Sequence, residues 1–202
     1  MASTTRTQLL KTARDLFAER GFYGVSIAAI ADQHGLTKQA LLHYFPSKEK
    51  IYGAVLKEIS WEIEEHAKHA VAASDDPKTQ LKTLLQVLLP SSADDVVRTR
   101  LLMRELLDNK HRAETAGEWY LKPFLKTLIR LIKKNDGWSH ASDAQALAVV
   151  YQLLGAVNYV AVSEPTLTGI FGASGVKAMT RAFPAQLEAT TDAALRDPPP
   201  RR

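Results

Sequence analysis

The sequence predicts an all-α fold, with a small three-helix N-terminal domain and a larger helical C-terminal domain, on three observations. Apolar residues recur at helical spacing almost throughout the 202 residues, and no segment alternates strictly between apolar and polar. Ser, Thr or Asp caps, paired with Gly or Pro stops, punctuate the chain at helix-length intervals. Hydrophobic residues at 46% and charged residues at 24% are ordinary globular values, and the length suffices to bury a core without staples. The absence of cysteine excludes a disulfide framework, a zinc finger and a thiol nucleophile, and agrees with a cytoplasmic location. Arg6, Lys11, Arg14 and Asp15 interrupt the opening segment, so no secretory signal is expected.

The first helix is expected to begin at Thr5, which forms a capping box with Gln8 and sets Leu9, Ala13, Leu16 and Phe17 on one face. Gly21 ends it. Ser26 caps a short second helix bearing Ile27, Ile30 and Ala31, which stops at Gly35, where the chain can turn through positive φ. Thr37 caps a third helix running to about Tyr44; Pro46 forbids its continuation, and Ser47 caps a long fourth helix to about His69. Beyond Asp75-Asp76-Pro77 the spacing predicts helices from Lys78 to Leu89, Asp94 to about Asn109, Trp119 to Lys134, Ser142 to Ser163 and about Ser174 to Leu195. Glu164 to Gly172, containing Pro165, is expected to be a loop. These elements divide into domains at residues 1–50 and 51–197, with a disordered tail at 198–202 of three prolines, Arg201 and Arg202. The fourth helix, shared between the domains, is a natural lever for passing movement.

Charge is unevenly placed. Residues 1–50 hold seven basic and four acidic side chains, while the rest of the chain is nearly balanced, so the N-terminal quarter carries the positive field expected of a polyanion partner. From Ile27 to Tyr44 the spacing is that of a helix-turn-helix: Ala31 is small where the helices cross, Gly35 permits the turn, and Ile30, Leu36 and Leu41 fill the wedge. A second helix so held projects its N-terminal side chains, which in such motifs enter the major groove of DNA.

The stretch GFYGVSIAAIADQHGLTKQALLHYFPSKEKIYGAVL, Gly21 to Leu56, resembles the DNA-binding signature of the TetR family of transcriptional repressors. The match is dense over residues 6–56, and its most specific part is LTKQALLHYFPSKEKI; the remaining chain matches in helical architecture and length. His34 departs from the pattern at a position that is often apolar. Read from the residues, Thr37, Lys38 and Gln39 open the recognition helix, where Gln pairs with adenine and Lys donates to guanine acceptors. His43 and Tyr44 suit phosphate contacts, Lys48 with the amides at Ser47 forms an anion site, and Ser26 and Tyr23 are further phosphate candidates. The resemblance implies the same roles, and it implies a homodimer reading a palindromic operator of double-stranded DNA.

The helices near 119–134 and 142–163 are long and low in charge, with Ala144, Ala148 and Gly155 permitting close approach, and the resemblance implies that the last long pair from each chain forms a four-helix bundle. Family members commonly release DNA on binding a small-molecule effector, and polar or aromatic groups on apolar faces are the candidates for holding one: Trp61, Met103, Arg104, Trp119, Tyr120, Phe124, Tyr151, Gln152, Asn158 and Tyr159. His66 and His69, with Glu62 and Glu65, have metal-ligand spacing but read more simply as a solvated face, so no metal or cofactor is expected. Residues 144–163 are uncharged over a span's length, yet Gln145, Gln152, Asn158 and two tyrosines point to a buried interface helix and no membrane partner. No Walker A, GxGxxG, GxSxG or HExxH pattern occurs, which argues against an enzyme. The alternative is a helical ligand-binding carrier without specific DNA binding.

Overall fold

A computed structural model describes residues 5–108 and 120–200, and among these it contains eight helices and no strand. They are α1 (Thr5–Arg20), α2 (Ile27–Asp32), α3 (Lys38–Tyr44), α4 (Lys48–Ala72), α5 (Pro77–Val87), α6 (Ala93–Asp108), α7 (Lys122–Lys133) and α8 (Asp143–Arg196). The described residues fall into two compact units. One takes the chain up to Glu62 and the stretch from Ser92 to Tyr120; the other takes Ile63–Ser91 and the chain from Leu121 onward.

In the first unit the apolar stripe of α1, with Leu9, Ala13, Leu16 and Phe17 buried, packs with Ile30 of α2, Leu41 of α3, Ile51 and Val55 of α4 and Leu101 of α6. Each Leu, Ile, Val or Phe among them contributes roughly 1.5–3 kcal/mol on burial, and this shared core holds the short α2 and α3, which are too brief to be stable alone. Phe17 and Phe22 meet the Tyr52 ring edge-on, with centroids 4.8 and 5.0 Å away. Gly21 closes α1 at φ +72°, its N–H donating to Phe17 O at 2.9 Å.

Polar contacts fix α6 to α1 and α4. Arg104 donates from Nε to Ala18 O (2.9 Å) and from Nη2 to Glu19 O (2.8 Å), carbonyls that the end of α1 leaves without a helical partner. Arg14 pairs with Glu62 at 2.8 Å and also donates to Asp94 O, while buried Arg98 pairs with Asp95 at 2.9 Å and approaches Glu62.

In the second unit, Leu81, Leu84 and Leu85 of α5, Leu128, Leu131 and Ile132 of α7, and Val150, Leu153 and Val157 of α8 form the core. Ser142 and Gln145 make a reciprocal capping box that starts α8, and Pro123 opens α7 in the first turn, where a missing N–H costs nothing. The loop expected at Glu164 to Gly172 is instead helical as far as Phe171, and the interruption falls at Gly172, with φ +74° and ψ 160°. Pro165 removes one ladder donor but leaves the bonds on either side, whereas Gly172 adopts a conformation closed to L side chains. Trp138 Nε1 donates to Leu195 O at 2.9 Å, Pro198 packs on Gly137, and His140 Nε2 lies 2.7 Å from Pro199 O. Arg201 and Arg202 lie outside the described residues.

Candidate nucleic-acid interface

Three caps and one glycine build this surface. Ser26 Oγ accepts from Ala29 N at 3.0 Å and starts α2; Thr37 Oγ1 accepts from Ala40 N at 3.1 Å and starts α3; Ser47 Oγ accepts from Lys50 N at 3.3 Å and starts α4. Between α2 and α3 the chain turns at Gly35, φ +63°, with Leu36 N donating to Ala31 O at 3.1 Å. Ile30, Ala31 and Leu41 are fully buried beneath the turn, so the orientation of α3 is dictated by the core.

His34, the departure from the family pattern, takes a structural role: Thr12 Oγ1 and His34 Nε2 lie 2.8 Å apart, tying α1 to the helix-turn-helix. A polar residue is tolerated there because α1 offers it a hydroxyl partner.

The core face of α3 being used, Thr37, Lys38, Gln39, His43 and Tyr44 are all exposed, and Gln39 and His43, four residues apart, share one side of the helix. Tyr23 is 71% exposed, and with Gly24, Val25, Ser26, Ile27, Ala28, Lys38 and Lys48 it lines a surface depression of about 480 Å³. The structure thus brings Tyr23, Ser26, Lys38 and Lys48 to one place and sets Gln39 and His43 on the neighbouring helix face. Exposed hydrogen-bond donors beside the Lys38 cation suit a polyanionic partner.

Lys48 is the exception in orientation. Its Nζ donates to Phe22 O at 3.0 Å and Val25 O at 3.1 Å and lies 4.4 Å from the Phe22 ring centroid. The start of α4 also bears Glu49, whose carboxyl is held below its ordinary value of 4.5, first by the Ser47 hydroxyl. That carboxylate already answers part of the positive field of the helix end. Arg6, which the sequence reading did not single out, stacks its guanidinium 5.0 Å from the Phe45 ring at the end of α3. Its only sequence signal was membership of the basic N-terminal quarter.

The effector candidates are dispersed. Arg104 is engaged with the end of α1, Trp61 is 62% exposed, Met103 is half-buried and Tyr120 is 39% exposed in the first unit. In the second unit Phe124 is core, Asn158 is half-buried, Gln152 is exposed, and Tyr151 and Tyr159 are 52% and 70% exposed. Trp119 lies outside the described residues. Outside these candidates, His66 Nδ1 and Ser163 Oγ of the second unit, like Gln80 Oε1 and Asp192 Oδ1, are buried with no hydrogen-bond partner among the described residues. Of the acids near His66, Glu62 pairs with Arg14 and Glu65 with Lys68 at 2.6 Å.

Residues 9–55 match the family described as bacterial regulatory proteins, tetR family. The HTH-type transcriptional regulator RutR of Escherichia coli K12 is 34% identical over 105 residues, covering 52% of this chain and 49% of RutR, so the chain spans about half the length of the curated relatives it matches. A TetR-family transcriptional regulator from Bordetella parapertussis superposes with TM-score 0.72 at 19% identity, covering 96% of each chain. A protein from Saccharomonospora viridis solved in complex with choline superposes with TM-score 0.68 at 19% identity, covering 91% of this chain and 95% of that one.

Proposed function

Residues 9–55 form a DNA-binding domain of the tetR family of bacterial regulatory proteins, and from that premise we propose that the protein is a homodimeric transcriptional regulator, a repressor that occupies a palindromic operator and leaves it on binding a small-molecule effector. The observation that carries the reading is the pairing of capped, core-locked α3 with a first turn whose Thr37, Lys38 and Gln39 are all exposed. Gln39 and Lys38 read base edges; Tyr23, Ser26, His43 and Tyr44 contact phosphates.

One such module makes too few contacts for a specific site, which favours a dimer over two half-sites. The dimer face is the outward stripe of α8, where Ala144, Ala148, Tyr151, Gly155 and Tyr159 are all exposed at helical spacing. Small residues at 144, 148 and 155 allow a second α8 to approach closely, and an apolar stripe of this length is costly to leave in water. The effector site belongs to the second unit, where His66 Nδ1 and Ser163 Oγ are buried polar atoms with no hydrogen-bond partner among the described residues. A neighbour of the same fold holds choline, which supports a pocket for a small organic molecule in this architecture.

Selection of duplexes from fragmented source genome by the purified protein, near physiological salt, tests the reading, together with sedimentation of the free protein. The expected result is a two-fold symmetric enriched sequence and a dimer. No enrichment by a folded dimer favours the ligand-carrier alternative.

A further inference from the structure

We propose that Lys48 is a positioning residue of the nucleic-acid interface: its ammonium group holds the α1–α2 connection in the shape that presents Tyr23 and Ser26, and it does not contact phosphate itself. This assignment rests on the DNA-binding reading and deepens it.

Phe22 and Val25 lie in the connection between α1 and α2, outside both helices, and their half-buried or buried carbonyls need a donor. Lys48 supplies it, donating to Phe22 O at 3.0 Å and Val25 O at 3.1 Å. An ammonium has three N–H donors; two are committed here, and the cation also lies 4.4 Å from the Phe22 ring centroid. The charge therefore faces the chain's own carbonyls and ring in a half-buried setting, where charge-assisted bonds are shorter and stronger than neutral ones.

The two carbonyls bracket the residues that matter. Tyr23 and Gly24 lie between them, and Val25, itself only 3% exposed, directly precedes Ser26. Fixing Val25 O sets the direction in which the chain enters α2. Ser26 Oγ accepts from Ala29 N and keeps its own proton to donate to a phosphate. Tyr23 packs edge-on against Phe22, with centroids 5.3 Å apart, so the same clamp sets its ring. Lys38, lining the same depression, is exposed at the first turn of α3 and is the cation that faces outward.

Salt dependence separates the two roles. A lysine whose charge faces the DNA, on a base edge or on phosphate, contributes to counterion release, and removing it flattens the plot of log affinity against log salt by about 0.9; a lysine that only holds a loop leaves that slope unchanged. The experiment measures affinity for mixed-sequence duplex DNA over a range of salt concentrations for the full-length wild type, Lys48→Met and Lys38→Met, with amide hydrogen exchange of residues 22–29 in each free protein. The expected result is that Lys48→Met binds about tenfold more weakly at the wild-type slope and exchanges faster at 22–29. Lys38→Met loses slope and keeps wild-type exchange. A flattened slope with unchanged exchange for Lys48→Met overturns the assignment and makes Lys48 a phosphate contact; unchanged affinity and exchange overturn it as well.

If the wild type shows no salt-dependent affinity, the DNA-binding reading itself falls, and the exchange data still report separately whether Lys48 holds the loop. Should Lys48→Met fail to fold, Lys48→Gln, which retains a donor but no charge, carries the same comparison: wild-type slope supports the positioning role and a flattened slope overturns it.

Discussion

The Tyr52 hydroxyl donates to Glu105 Oε2 at 2.5 Å, joining α4 to α6 inside the unit that also carries the helix-turn-helix. Both residues are buried, at 2% and 6% exposure, so the bond lies where water does not compete. Removing one donor to a buried carboxyl group costs about 1–3 kcal/mol. Tyr52→Phe, which keeps the ring contacts to Phe17 and Phe22, is therefore expected to lower unfolding stability by that amount in urea. A loss under about 0.5 kcal/mol would mean the bond contributes little.

Arg104 places its guanidinium on Ala18 O and Glu19 O, a cation at the C-terminal end of α1. Arg104→Met keeps the apolar stem and removes both donors. The expected outcome is faster amide exchange across the last turn of α1 and a stability loss of about 1 kcal/mol. Unchanged exchange there would show that Gly21 alone closes the helix.

Gln39 stands exposed on the first turn of α3. On the regulator reading, Gln39→Ala costs about 1–3 kcal/mol of affinity on the selected duplex and relaxes preference at one base pair per half-site. A uniform loss across all duplexes, with preference intact, would place Gln39 on the phosphate backbone.

Gly35 adopts φ +63°, yet a Cβ built there meets nothing within 4 Å. The cost of Gly35→Ala is thus conformational and not steric, about 1 kcal/mol. Thermal unfolding should show that modest loss while DNA affinity, measured well below the midpoint, stays near wild type. A collapse of affinity in the folded variant would show that the turn, and with it α3, had moved.

Asp192 in α8 accepts from Lys82 of α5 at 2.7 Å and lies 3.5 Å from Lys78. Its carboxyl is held below the ordinary value of 3.8, first by the Lys82 hydrogen bond. A carboxylate with a depressed folded pKa adds stability that is present above 3.8 and is lost as pH falls through the folded value. The unfolding midpoint of wild type should accordingly drop more steeply below about pH 4 than that of Asp192→Asn. Parallel curves for the two proteins would remove the pair from the acid response.

Much of the architecture of the candidate interface was legible because its signals are local. A cap at Ser26, Thr37 or Ser47 is a contact between a side chain and an amide three residues on, and a glycine at 35 declares its own dihedral freedom; spacing alone locates both. The exposure of Lys38, Gln39 and His43 followed from the periodicity that buried Leu41. Lys48 shows where that legibility stopped. Its charge was readable but its direction was not, because the carbonyls that turn it inward belong to residues 22 and 25 and reach it only when α1, α2 and α4 converge on one core.

The sequence by itself determined the all-helical class, the caps and turns of the helix-turn-helix, and the basic field of the N-terminal quarter, all of which depend on interactions within a few residues. Only the tertiary structure decided that α6 packs on α1, that His34 finds Thr12, that α8 breaks at Gly172 and not at Pro165, and that the tyrosines at 151 and 159 face outward. Helical periodicity tells which face of a helix is apolar; which partner covers it depends on packing between segments far apart in the chain, and one-dimensional spacing carries no record of that.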